Sequence, residues 1–259
     1  IKPDIDFIRE KFPHIYWQYG QIMLSSLKLF KEKRNLFPIF LSCFSCGPDS
    51  FILNYFYREM ESLKKPYLVL QLDGHSSATG YITRLEAGID SFKNYLKLNI
   101  EGDFTKDKYT KVEDIPEKDR IVLVPPMDEE GAELITSAFK TKYKSAETLK
   151  ESVDTFKEGL KHSTGYECSP FHSTLGAVLT KTKNGNDKYA YFMPTGIGPC
   201  RFGQYSLFQN IILKSIGRDV SLIAPSDRNA YAGISNDLKK LIFDGIIIND
   251  ILKKITLSI

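Results

Sequence analysis

The chain has 259 residues, enough to bury a sizeable core as one large domain or as two of ordinary size. Hydrophobic residues at 42% and charged residues at 26% exclude a disordered or fibrous chain. The formal net charge of +3 comes from 35 basic and 32 acidic residues with no dense Lys/Arg run, which argues against nucleic acid as a partner.

In chain order, the first 35 residues read as helical around Tyr19–Lys33 and carry no evident chemistry. Phe37–Ser45 predicts a buried strand. Asp49–Leu63 predicts a helix with Phe51, Ile52, Tyr55, Phe56 and Glu59 at helical spacing, Tyr67–Asp73 a second strand, and Ser77–Leu98 a long helix. The charged stretch Lys106–Asp119, interrupted by Pro116, is the best linker. Beyond it come a strand at Arg120–Val124 ending on Pro125-Pro126, and helices at Gly131–Lys140 and Leu149–Lys161. A third helix follows Gly165–Pro170 and runs to about Lys181.

The cluster Lys183-Asn184-Gly185-Asn186 predicts a turn. It precedes a strand at Tyr189–Met193, a helix at Arg201–Ile216, a strand at Ser221–Ala224 and a helix from Asn236 onward. Apolar runs alternating with helical-period stretches are the sequence form of βαβ units. The fold class expected is α/β: two Rossmann-like open-sheet α/β domains with flanking helices. Residues 1–36 form an N-terminal helical segment, 37–118 the first domain, and 119–259 the second with a C-terminal helix.

The longest apolar stretches, Phe37 to Phe44 and Leu241 to Ile248, fall short of a bilayer span. The chain opens at Ile1 without Met or a secretory signal, so it reads as a piece of a longer protein. Four cysteines are too few for a secreted disulfide framework; a cytoplasmic setting with reduced thiols, metal ligands or redox chemistry is expected.

Three of those cysteines share a local setting, each beside a proline at a predicted helix start: Ser45-Cys46-Gly47-Pro48-Asp49, Glu167-Cys168-Ser169-Pro170 and Gly198-Pro199-Cys200-Arg201. Helix N-termini carry partial positive charge and free N–H groups, which favour thiolates and any anionic group that they hold. Strand ends of an open α/β sheet form its ligand crevice, so a site drawing on both domains is expected. Taken singly, each cysteine is more often a small buried hydrophobe. Cys43 makes Cys43-x-x-Cys46 but lies inside a predicted strand. A thiol–disulfide pair, or a zinc site with Cys43 as fourth ligand, stays open as an alternative.

His75, in Leu72-Asp73-Gly74-His75-Ser76, follows a strand and is a candidate base or ligand; His162 and His172 are weaker ones. Gly196-Ile197-Gly198-Pro199 lacks both GxGxxG and the Walker ending, so no nucleotide site is inferred. Arg201, Gln204 and Tyr205 lie on the first turn after Cys200 and either donate to cluster sulfurs or an anion, or cap and pack. Arg84 and Glu86 read as a surface pair.

Four strings carry a resemblance. They are Ser45-Cys46-Gly47-Pro48-Asp49-Ser50-Phe51, Leu72-Asp73-Gly74-His75-Ser76, Ile82-Thr83-Arg84-Leu85-Glu86-Ala87, and the run from Met193-Pro194-Thr195-Gly196 through Cys200-Arg201-Phe202-Gly203-Gln204-Tyr205. In order from about Phe37 onward, they resemble the CoA-substrate-specific enzyme activases, also described as activators of 2-hydroxyglutaryl-CoA dehydratase, and within them the region similar to the dehydratase subunits.

The resemblance implies a 4Fe–4S cluster held by Cys46, Cys168 and Cys200, and low-potential electron transfer. As partners it implies an ATP-dependent activase domain of the same longer protein and an acyl-CoA dehydratase or reductase system. No ATPase motif lies in this chain. Where the family commonly has an acidic residue before the histidine this chain has Gly74, and where it has a second cysteine near Cys168 this chain has Phe171.

Overall fold

The structure is a computed structural model that describes residues 4–43, 47–72, 78–106, 109, 116–184, 188–227 and 230–258. The chain is α/β, with parallel sheets flanked by helices. It divides into two compact units: residues 1–110 with Pro199–Arg201, and residues 111–198 with 202–259.

In the first unit, helices α1 (Ile5–Lys11), α2 (Gln18–Ser25) and α3 (Leu27–Glu32) precede β1 (Ile39–Ser42), α4 (Asp49–Ser62), β2 (Leu68–Gln71) and α5 (Ala78–Lys97). The strands β1 and β2 pair in parallel, Ile39 opposite Leu68 and Ser42 opposite Gln71. Phe40 and Ser42 point inward while Ile39 and Leu41 stay exposed, the period-two alternation of a sheet covered on one face. The helix α4 buries Phe51, Ile52, Tyr55, Phe56, Glu59 and Met60, the spacing read from sequence.

The core of this unit is aromatic. Phe12 stacks on Tyr109 at 5.4 Å, and Tyr55 meets Tyr109 edge-on at 4.8 Å. Among these rings lies the Glu59 carboxylate, fully buried. It accepts hydrogen bonds from the Thr105 backbone N–H at 3.0 Å, the Thr105 hydroxyl at 2.7 Å and the Tyr109 phenol at 2.8 Å, and pairs with Lys11 Nζ at 3.2 Å. Burial and the Glu59 charge hold the Tyr109 phenol well above its ordinary range.

The second unit contains β3 (Ile121–Val124), α6 (Glu129–Lys140), β4 (Ser145–Thr148), α7 (Val153–Lys161), α8 (Ser169–Lys181), β5 (Tyr189–Phe192), α9 (Tyr205–Ser215), β6 (Val220–Ile223) and α10 (Asn236–Leu257). All four strands are parallel, in the order β4-β3-β5-β6. Order reverses between β3 and β5, which is where open α/β sheets leave a crevice at the carboxyl ends of their strands. One face packs Val122, Val124, Ala190 and Phe192 against Phe139 of α6 and Leu238 of α10. The Tyr191 phenol, on the alternate side chain of β5, donates to Thr174 O of α8 at 3.1 Å.

Helices α7 and α8 touch backbone to backbone at Gly159 and Gly176. A Cβ on Gly176 would lie 1.7 Å from Thr155 O, and one on Gly159 would lie 2.0 Å from His172 O. Only glycine permits this approach. Asp128 caps α6 by accepting from Gly131 N–H at 3.0 Å, while Asn249 of α10 donates to it at 2.9 Å. Lys253, on the same helix, forms a salt bridge with it. Around these two residues α10 exposes Ile246, Ile247, Ile248, Ile251, Leu252 and Ile255.

Three elements differ from the sequence reading. The helix expected from Leu149 starts at Val153, because Leu149 N–H continues the sheet by donating to Val124 O and Ser152 caps the helix through Thr155. The edge strand β4 was not foreseen, and the helix expected at Arg201–Ile216 opens with a 3-10 turn at Arg201–Gln204 before α9 begins at Tyr205. The turn cluster is described to Asn184; most of the expected linker lies outside the described residues.

Candidate functional site

Two of the candidate residues, Cys46 and His75, lie outside the described residues. Cys43 directly follows β1 and is exposed; Cys200 is exposed, Cys168 is half-buried, and all three are free thiols. Among the described residues, no group of three or more His, Cys, Asp or Glu side chains is gathered as a metal site would need.

In the first unit, the Cys200 segment sits against the start of α4. The Tyr16 phenol donates to Cys200 O at 3.0 Å, and the Arg201 guanidinium donates to Ser50 Oγ at 3.1 Å. Ser50 is fully buried in the first turn of α4 and donates in turn to Gly47 O at 3.1 Å. Gly47 adopts φ 62°, a left-handed turn that glycine takes without strain, and Pro48 stands at the N-cap. Two motifs quoted from the sequence, Cys46-Gly47-Pro48-Asp49-Ser50 and Pro199-Cys200-Arg201, are therefore joined through Ser50. Arg201 serves as a tether here.

In the second unit, Cys168 is the N-cap of α8, in extended conformation, with Pro170 in the first turn. Its Sγ shares a hydrogen bond with the Tyr205 phenol at the first residue of α9. The Tyr205 ring is buried and fixed edge-on by Phe171 at 5.2 Å and Phe202 at 5.3 Å. Gln204, fully buried, precedes it as the N-cap of α9. The loop leading to Cys168 is tied down as well: Thr164 Oγ1 donates to Glu167 Oε1 at 3.0 Å, and the two ring nitrogens of His172 face Ser163 Oγ at 3.1 Å and Glu167 O at 3.0 Å.

His172 is thus a structural residue. Its side chain is almost wholly buried, and burial pushes the imidazole below its ordinary value of 6.5, partly offset by Glu167. Because the folded form gives up its proton more readily than the unfolded one, this residue's share of stability is complete above pH 6.5 and is lost as pH falls below it. We expect the urea midpoint to fall between pH 6.5 and the carboxylate range, with a flatter slope in His172→Gln. His162, by contrast, is half-exposed beside Glu158 at 3.4 Å, and Arg84 and Glu86 are both exposed on α5.

A cleft of about 810 Å³ opens at the carboxyl ends of β3 and β4, with Asp128, Glu133, Glu147 and Glu151 in its walls and the Thr136–Thr148 hydroxyl pair at 2.8 Å. Sequence reading missed it because β4 was missed. Lys140 and Lys150 line it as well, and Asp128 and Glu147 are already paired with Lys253 and Lys181.

A cluster of iron and sulfide needs soft anionic donors, and a helix start favours the thiolate form. The free Cys168 and Cys200 thiols have that chemistry, and Cys168 also has the first turn of α8 behind it. The donor set fits. No described helix is long and apolar enough to cross a membrane. No family model matches the chain, and no curated protein or solved structure matches it either.

Proposed function

We propose that this chain is the iron–sulfur module of a CoA-substrate-specific enzyme activase of the 2-hydroxyglutaryl-CoA dehydratase type, working in the cytoplasm with an ATP-dependent activase domain. In this reading Cys46, Cys168 and Cys200 supply three thiolates. A 4Fe–4S cluster bound by them supplies one-electron transfer at low potential and one iron open to a further ligand. The observation that carries the reading is Cys168: a free thiol at the N-cap position of α8, with a phenol fixed against its sulfur. Around it the chain's own groups do the work of positioning. Tyr16 and Arg201 hold the Cys200 segment against α4, and the Thr164–Glu167 and Ser163–His172 bonds hold the loop that presents Cys168.

Anaerobic reconstitution with iron and sulfide, followed by quantitation and EPR, tests the proposal on the parent chain and on Cys200→Ala. About four irons per chain are expected in the parent, with the variant losing them or holding them labile. A folded parent that stays metal-free overturns the reading.

A second reading has one observation in its favour. The row of half-exposed isoleucines and leucines on α10 suits a docking surface, and a non-catalytic docking or regulatory domain with structural cysteines would use it. That reading predicts a colourless, metal-free protein.

A further inference from the structure

Among the described strands, β1 alone exposes large apolar side chains, those of Ile39 and Leu41. The same two residues present their backbone. Leu68 N–H donates to Pro38 O and Leu72 N–H to Ser42 O, so the peptide groups of residues 38, 40 and 42 face β2. By the alternation of a parallel ladder, the N–H and C=O of Ile39 and Leu41 point to the open edge of a two-stranded sheet. Natural edges are blunted by charges or proline within the strand, as by Glu147 in β4, but Ile39–Ser42 has neither. Parallel sheets are ordinarily covered on both faces, and two strands alone are marginal.

The helix beside this edge is shaped to match. α5 lies on the face that Ile39 and Leu41 share with Leu68, since a Cβ on Gly88 would come within 3.3 Å of Leu68 Cδ2. Phe92 stacks at 4.5 Å on Phe37, two residues before β1, which turns that flank of α5 toward β1. Along the flank Ile82, Ile89 and Leu96 are exposed at heptad spacing with half-buried Leu85 and Phe92 between them, the pattern of a helix-packing seam. Glu86 and Lys93, both exposed, border the seam on its solvent side.

We infer that this face joins two copies of the chain about a two-fold axis, β1 antiparallel to the other β1 and α5 antiparallel to the other α5. An axis perpendicular to the sheet sets edge against edge and seam against seam, and makes one continuous four-stranded sheet. With the two α5 helices meeting at Ile89, Glu86 of each copy faces Lys93 of the other, whereas parallel helices would set Glu86 against Glu86. The exposed side chains, the edge backbone and the charged rim come to on the order of 1,000 Å² of total buried surface, the lower bound for a specific interface. This pairing needs no cluster and stands apart from the function proposed above.

Sedimentation velocity of the whole chain over a concentration series tests it. A dimer is expected in the parent, with the dissociation constant raised about tenfold or more in Leu41→Lys and in Ile89→Glu, both exposed positions in the single copy. Lys93→Glu should weaken the dimer too, and adding Glu86→Lys should restore it, a rescue that a folding defect cannot produce. A parent that is monomeric throughout the series overturns the inference. So does a dimer indifferent to Leu41→Lys, which would point to α10 as the joining face, and so does a charge swap that fails to rescue.

Discussion

Gly176→Ala is expected to destabilise the second unit by about 3 kcal/mol or more, the upper range for overpacking. The added methyl would meet Thr155 O at 1.7 Å, Thr155 C at 2.7 Å and Gly159 N at 2.8 Å, all backbone atoms that no rotamer change can move aside. Helices α7 and α8 must separate, and the loop between them, which ends at Cys168, moves with them. A loss of that size lowers the melting temperature by roughly 10 °C in a unit of this size. Gly80→Ala in α5 is the control. A Cβ there meets nothing within 4 Å, so alanine at a helical position should be neutral or raise stability by about 1 kcal/mol. Thermal melts followed by far-ultraviolet circular dichroism separate the two outcomes, and equal melting temperatures would refute the backbone contact.

Glu59→Gln is expected to cost the first unit about 3 to 5 kcal/mol, the range for removing one partner of a buried ion pair. The carboxylate accepts from Thr105 and Tyr109 and neutralises Lys11, whose side chain is only 12% exposed. A neutral amide presents an NH2 to one of these donors and removes the Glu59 charge from beside the ammonium. Trp17 is the only tryptophan and lies in the first unit, so its fluorescence reports this loss directly. The urea midpoint read from Trp17 should fall in Glu59→Gln, whereas in Gly176→Ala the larger change should appear in the circular dichroism. A Trp17 transition unmoved by Glu59→Gln would show that the buried pair contributes nothing.

The sequence made the α/β alternation legible because most of its elements obey a single period. The apolar spacing of Phe51, Ile52, Tyr55, Phe56 and Glu59 marked α4 to within one residue at its end, and even placed the buried carboxylate on the correct face. Ser145–Thr148 escaped notice because an edge strand needs only one buried side chain, Ala146, and carries no apolar run. Leu149 misled in the opposite direction, since its apolar character suits a helix start while its N–H completes a sheet bond. At the site, the prolines and helix starts around Cys168 and Cys200 were readable because they are local. The partners were not. Tyr205 lies 37 residues from Cys168, and Tyr16 lies 184 residues from Cys200, separations that no spacing rule spans.

The strand order of the second unit also bears on how it assembles. β4 follows β3 in the chain and lies beside it, as β6 does with β5, but β3 and β5 pair across everything from residue 121 to residue 189. Closing that long loop costs more chain entropy than either neighbouring crossover, and contacts between residues far apart in sequence slow folding. The halves β3-α6-β4 and β5-α9-β6 can each form locally, whereas their junction must wait for the diffusive search. Cys168 lies within that loop, so the segment that presents it is closed only when the slowest seam of the unit forms.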